Sequence, residues 1–169
     1  MKKNLILLGM MGVGKTTIGK ILAKKLKLEF IDTDANIEKE NSMSINDIFE
    51  QKGEKFFRTE EERIVLKYLK KKDCVIALGG GAFINKKLRE NILKNASSFW
   101  LNLNIKTLTE RAKWSSKRPL LKNENYKKVI KDLFLERRNF YKLANYKIEC
   151  DRIGKNDIVT KIIDLYEKY

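Results

Sequence analysis

Residues 4–17 run Asn4-Leu5-Ile6-Leu7-Leu8-Gly9-Met10-Met11-Gly12-Val13-Gly14-Lys15-Thr16-Thr17. The apolar run to Leu8 suits a strand buried on both faces. From Thr16, apolar residues recur at Ile18, Ile21, Leu22 and Leu26 with a helical period. Between the two, Gly9 to Thr16 fits G-x-x-x-x-G-K-[ST] in the strand–turn–helix setting that gives this pattern its meaning. Its glycines let backbone N–H groups curl round phosphate oxygens, and the helix N-terminus adds positive potential. Gly12, Val13, Gly14, Lys15, Thr16 and Thr17 are therefore candidate nucleotide contacts. Lys15 would reach the β- and γ-phosphates, and Thr16 would ligate Mg²⁺ through its hydroxyl. The motif implies a nucleoside triphosphate with Mg²⁺ and leaves the phosphate acceptor open.

Outward from this stretch, strands and helices alternate to the end of the chain. Short apolar strands are expected at 30–32, 74–78, 99–103 and 146–150. Ser44 can cap a helix that Gly53 closes, and charged helix follows over about 54–70. Further helices are expected near 86–94, from a cap at Asn104 to about 112, over about 126–144 and over about 156–168. The alternation argues for an α/β fold, a parallel sheet covered by helices on both faces. No repeat, low-complexity tract or linker interrupts it, so residues 1–169 are expected to form a single domain. The stretch of about 114–125 lacks periodicity and contains the only proline, Pro119.

Composition narrows the classes. The chain has 169 residues, 43% hydrophobic and 35% charged, and no apolar run of the roughly 18–20 residues a membrane span needs. Its first residues imitate a signal peptide, but the apolar run passes directly into the glycine motif without a cleavage site. A first strand and a cytoplasmic protein are the expectation. The net charge of +15 invites a nucleic-acid reading. Only eight of the 37 basic residues are Arg, however, and the lysines are scattered through every segment with no aromatic stacking motif among them. A solvated surface that steers anionic small substrates accounts for the charge, with no nucleic acid and no membrane as partner. Cys74 and Cys150 read as buried free thiols. With no His, acid–base work falls to carboxylates, Lys or Tyr, and any metal site should be oxygen-rich.

Acceptor candidates gather where parallel sheets bind ligands, at the carboxyl ends of the strands. Asp32-Thr33-Asp34 ends the second strand beside the phosphate loop. One carboxylate can face the metal and the other a substrate hydroxyl, though turn and cap chemistry also explains the pair. Gly79-Gly80-Gly81 ends the third strand, where residues without Cβ let a ligand rest against backbone N–H groups. Arg58 and Glu61 share a helical face, and alone they can equally be an exposed ion pair. Arg137 can likewise be surface charge. Arg111 and Arg118 bracket the irregular segment.

Together GMMGVGKTT, IDTD, GEKFFRTEE, ALGGGAF, RPLL and LERRNFYKLA resemble, in order and spacing, the shikimate kinase family of nucleoside-monophosphate-kinase-like P-loop enzymes. The resemblance implies a three-layer α/β/α fold with a five-stranded parallel sheet in the order 2-3-1-4-5. It also implies transfer of the ATP γ-phosphoryl group to the 3-hydroxyl of shikimate, with Mg²⁺, by a monomer. On it Asp34, Lys15 and Arg118 are catalytic, with Asp34 placed as base. Asp32 and Thr16 hold Mg²⁺. Arg58 and Arg137 clamp the substrate carboxylate, Glu61 aims Arg58, and Gly80 and Gly81 touch the ring. Ile45, Phe49 and Phe57 line the apolar side of a shikimate-binding region over about 33–61. The segment of about 114–125 is a mobile lid that brings Arg118 to the phosphates, while Arg111 and Arg152 border the adenine. Gluconate kinase, another small-molecule kinase of the group, is the nearest rival; it shares the loop without the combined set.

Overall fold

A computed structural model describes residues 3–113 and 125–168. The lid expected over about 114–125, with Arg118, falls outside the described residues except for Asn125.

Five strands form one parallel sheet: β1 (Asn4–Leu8), β2 (Glu29–Asp32), β3 (Cys74–Ala77), β4 (Ala96–Asn102) and β5 (Tyr146–Glu149). Their order is β2-β3-β1-β4-β5, as the resemblance implies. Every residue of β1 and β3 is buried, because both strands lie inside the sheet with helices over both faces. Ile6 pairs with Ile76 on one side and Ser98 on the other. Each fully buried Leu or Ile stabilises the fold by about 1.5–3 kcal/mol.

The helices are α1 (Lys15–Leu26), α2 (Thr33–Asn41), α3 (Ile45–Leu69), α4 (Lys86–Asn95), α5 (Ile105–Lys113), α6 (Tyr126–Tyr141) and α7 (Lys155–Glu167). Ser44 caps α3 by accepting from the Asp47 N–H at 3.1 Å. Gly53, with φ 80°, breaks that helix where closure was expected. Among the described residues, no helix is long and apolar enough to cross a membrane.

Two elements differ from expectation for identifiable reasons. β4 starts at Ala96, three residues before the apolar run, because a side chain satisfies the polar groups of Ser98. The Ser98 N–H and Oγ donate to Asn145 Oδ1 at 2.9 and 2.8 Å, and the Asn145 N–H returns a bond to Oγ. The helix α2 has no apolar stripe; only Thr33 and Ile37 are buried. It is held by polar bonds instead. Asp32 caps it, accepting from the Ala35 N–H, and Tyr68 of α3 donates to Asn36 Oδ1 at 2.7 Å.

Charges finish the attachment of α2 to α3. The Arg63 guanidinium donates to both oxygens of Glu60, at 2.9 and 2.7 Å, and to Glu40 at 2.7 Å. Lys67 reaches Glu40, and Asn41 reaches Glu60. The Arg63 fork, joined by Asn41, pulls the Glu60 carboxyl from its ordinary 4.5 down to about 2. The folded state binds that proton less readily than the unfolded chain. The interaction therefore contributes stability above about pH 4.5 that is lost as pH falls through about 2. Glu60→Gln should lower the unfolding free energy by about 1 kcal/mol at neutral pH. Urea titrations at successively lower pH should show the gap from the wild type closing through that window, whereas a constant gap would contradict the assignment.

Candidate active site

The carboxyl ends of β1, β2 and β3 open into one cleft of about 630 Å³. Gly12, Gly14, Lys15, Thr16 and Thr17 line one end. Asp32 and Asp34 stand between, and Ile45, Phe49, Gly80 and Arg137 line the rest. Residues far apart in sequence thus meet in the arrangement that the strand-end rule anticipates.

At the loop end, Gly14 is the N-cap of α1 with φ 105°, a left-handed conformation that a side chain would strain. Lys15 folds back over its own loop, donating from Nζ to the Gly9 and Met10 carbonyls at 2.8 and 3.0 Å. Thr16 Oγ1 donates to Asp32 Oδ2 at 2.7 Å, which sets a hydroxyl and a carboxylate side by side as hard oxygen donors. Behind the loop, Arg111 Nη1 approaches the Gly12 and Val13 carbonyls at 3.5 and 3.4 Å. Val13 turns its side chain into the core.

At the other end the three glycines face three sets of charge. A Cβ at Gly79 would lie 2.5 Å from Asp34 Oδ1 and 2.9 Å from Glu61 Oε1. One at Gly80 would lie 2.9 Å from Arg137 Nη1, and one at Gly81 would lie 2.6 Å from Arg58 Nη1. Gly80 lines the cleft, whereas Gly81 abuts the Arg58 guanidinium.

Glu61 is 2% exposed and accepts from Arg58 Nη1 at 2.8 Å, so the i,i+3 pair joins a buried carboxylate to a half-buried guanidinium. Burial pushes the Glu61 carboxyl up, with Arg58 and Arg137 pulling the other way. For Arg58, burial works against the charge, but Glu61 and Glu54 together more than offset it. Arg137 is only 8% exposed, which removes the reading of it as surface charge. Among the described residues, Glu61 Oε1 and Arg137 Nε have no hydrogen-bond partner.

Phe57 backs Phe49, with ring centroids 4.7 Å apart, and lies beneath Arg58. Arg152 is exposed in a left-handed turn after β5, with φ 58°. Met11, Glu38, Asn46, Ala77 and Leu78 also line the cleft. Sequence reasoning passed over them because their side chains offer no distinct chemistry at those positions, even where they stand inside a motif. Of these, Leu78 directly precedes the glycines, and Met11 stands inside the phosphate loop.

A family model described as shikimate kinase matches residues 11–167. The chain belongs to the shikimate kinase family. A shikimate kinase of Sulfurihydrogenibium sp. (strain YO3AOP1) is 42% identical over 161 residues, 95% of this chain and 96% of that one. The structure of shikimate kinase from Acinetobacter baumannii in complex with shikimate superposes with a TM-score of 0.94 at 34% identity, covering 99% of this chain and 94% of that one. A gluconokinase from Sinorhizobium meliloti 1021 shares the fold at 15% identity with a TM-score of 0.63. Family membership makes this chain an ATP-dependent kinase, and the rival reading as a gluconate kinase keeps only the likeness of fold.

Gly79→Ala tests the crowding at the glycine turn. The new methyl would push against Asp34 and Glu61, and a displacement of about 1 Å at a reacting centre costs on the order of a hundredfold. Shikimate-dependent ADP release should fall by that order while nucleotide affinity, read by fluorescence titration, stays within about twofold. Unimpaired turnover would mean that the carboxylates can move aside without consequence.

Proposed function

We propose that the chain transfers the γ-phosphoryl group of ATP to the 3-hydroxyl of shikimate, giving 3-phosphoshikimate and ADP. The observation that carries this reading is the cleft itself. A phosphate loop stands at one end, the buried Arg137 stands at the other with the half-buried Arg58 behind Gly81, and Asp34 lies between. A ring bearing hydroxyls and one carboxylate matches that layout.

Arg137 and Arg58 hold the acceptor carboxylate, a task for which the planar guanidinium fork is suited. Glu61 keeps Arg58 aimed and balances its charge. Ile45 and Phe49 cover the apolar side of the ring, with Phe57 behind them, and Gly80 lies against it. Asp34 orients the 3-hydroxyl and accepts its proton as the oxygen attacks the γ-phosphorus. The bond to the β-phosphate oxygen breaks, and ADP leaves. Lys15 and the N–H groups of Gly12 to Thr17 hold the donor phosphates. The hydroxyl of Thr16 and the carboxylate of Asp32, 2.7 Å apart, fit Mg²⁺ as hard oxygen donors. When bound, that ion neutralises charge on the phosphates.

Arg118, which lies outside the described residues, contributes its charge to the transferring phosphoryl group. Arg111 and Arg152 border the nucleotide base. Residues 33–61 form the acceptor-binding region of one kinase domain, which works as a monomer. Arg111 beside the Gly12 and Val13 carbonyls supports its part.

A coupled ADP-release assay with shikimate, gluconate and nucleoside monophosphates tests the reaction. Turnover is expected with shikimate alone, and faster turnover with either rival overturns the reading. Arg137→Ala should raise KM for shikimate about tenfold or more, because a charged hydrogen bond is lost, while KM for ATP stays within about twofold. Equal losses for both substrates would remove Arg137 from the carboxylate clamp.

A further inference from the structure

Two buried hydroxyls, on Thr33 and Tyr141, hold the triple-glycine turn, and neither has a part in the reaction described so far. Thr33 is fully buried at the start of α2, next to Asp34. Its Oγ1 accepts from the Gly79 N–H at 3.0 Å and donates to the Ala77 carbonyl at 3.2 Å. Tyr141 is 1% exposed and closes α6, one turn after Arg137. Its hydroxyl donates to the Gly80 carbonyl at 2.5 Å. Burial pushes this phenol up to about 12 against the pull of the Arg137 charge, so it remains a donor throughout the neutral range.

The turn is therefore bonded on one side to the helix that carries Asp34 and on the other to the helix that carries Arg137. Three glycines in a row have more backbone freedom than any other tripeptide. Close packing of Asp34, Glu61, Arg137 and Arg58 against their Cα atoms needs that freedom removed. No side chain of the turn can remove it. The hydroxyls do so from outside, each through a backbone group of the turn.

Resting on the reaction proposed above, we propose that Thr33 and Tyr141 are positioning residues. Through Gly79 and Gly80 they set where Asp34 meets the acceptor hydroxyl and where Arg137 meets its carboxylate. Thr33 acts at the reacting end and Tyr141 at the binding end, so their removal affects different kinetic constants.

Thr33→Val and Tyr141→Phe each remove a hydroxyl at nearly constant volume. The variants are assayed as full chains by ADP release, varying shikimate and ATP in turn, with thermal unfolding measured alongside. Tyr141→Phe is expected to raise KM for shikimate about three- to tenfold, with KM for ATP within about twofold. Thr33→Val is expected to lower kcat about three- to tenfold, and Thr33→Ser, which restores the hydroxyl, should recover it. In an Arg137→Ala background Tyr141→Phe should add nothing to KM for shikimate, since its effect runs through that arginine.

Variants that unfold at lower temperature but keep wild-type constants would make both hydroxyls structural and overturn the proposal. Equal rises in both KM values, or an undiminished Tyr141→Phe effect without Arg137, would overturn it too. Should Thr33→Val not fold, Tyr141→Phe and its double variant decide alone. A wild-type chain that releases no ADP with shikimate sinks the proposed reaction. Wild-type turnover with unmoved variants sinks only the positioning role.

Discussion

Charge has to be brought within touching distance of a backbone at the end of β3, and that steric requirement organises the cleft. Asp34 and Glu61 close on Gly79, Arg137 closes on Gly80 and Arg58 closes on Gly81, each where a Cβ would lie within 3 Å. Two carboxylates and two guanidiniums from three helices are thereby gathered round a few atoms of main chain. Desolvating any one of them alone would cost several kcal/mol. Together they are balanced in sign, and the Arg58–Glu61 hydrogen bond joins one pair directly. Removing one partner leaves a buried charge uncompensated, so the four are best understood as a unit.

The surrounding fold serves that unit by holding its helices. The helix α2 brings Asp34 but has almost no apolar face, so it depends on Asp32, Asn36 and the Arg63 fork for its place. The helix α3 is broken at Gly53, which separates the segment bearing Ile45 and Phe49 from the one bearing Phe57, Arg58 and Glu61. The apolar and the charged walls of the cleft are thus carried by two segments with different axes. The helix α6 brings Arg137 in from the opposite side of the glycine turn.

Much of this was legible in the sequence, because the signals involved are local. The phosphate loop shows itself by glycine spacing, and the buried strands by continuous apolar runs. The order of the sheet came from family resemblance, not from periodicity. What stayed hidden depends on partners distant in the chain. The first half of β4 looked polar because the satisfaction of Ser98 by Asn145 cannot be seen locally. No helix was expected where α2 lies, because polar bonds hold it and no apolar stripe marks it. The burial of Arg137 and Glu61 was equally invisible, since a charged residue on a charged helix looks solvated until the neighbouring backbone is in place. Gly79 had no distinct role in the pattern; its reason is the pair of carboxylates folded over it.

The bonds that Lys15 makes to the Gly9 and Met10 carbonyls have a consequence for affinity. An ammonium that already holds two carbonyl oxygens is not waiting in solvent. A phosphate that claims it must displace bonds of comparable kind, so nucleotide gains only the difference between old and new partners. The same exchange runs backward when the product departs, and the ammonium returns to oxygens in its own loop. A lysine tethered in this way adds less to nucleotide affinity than a wholly free cation would.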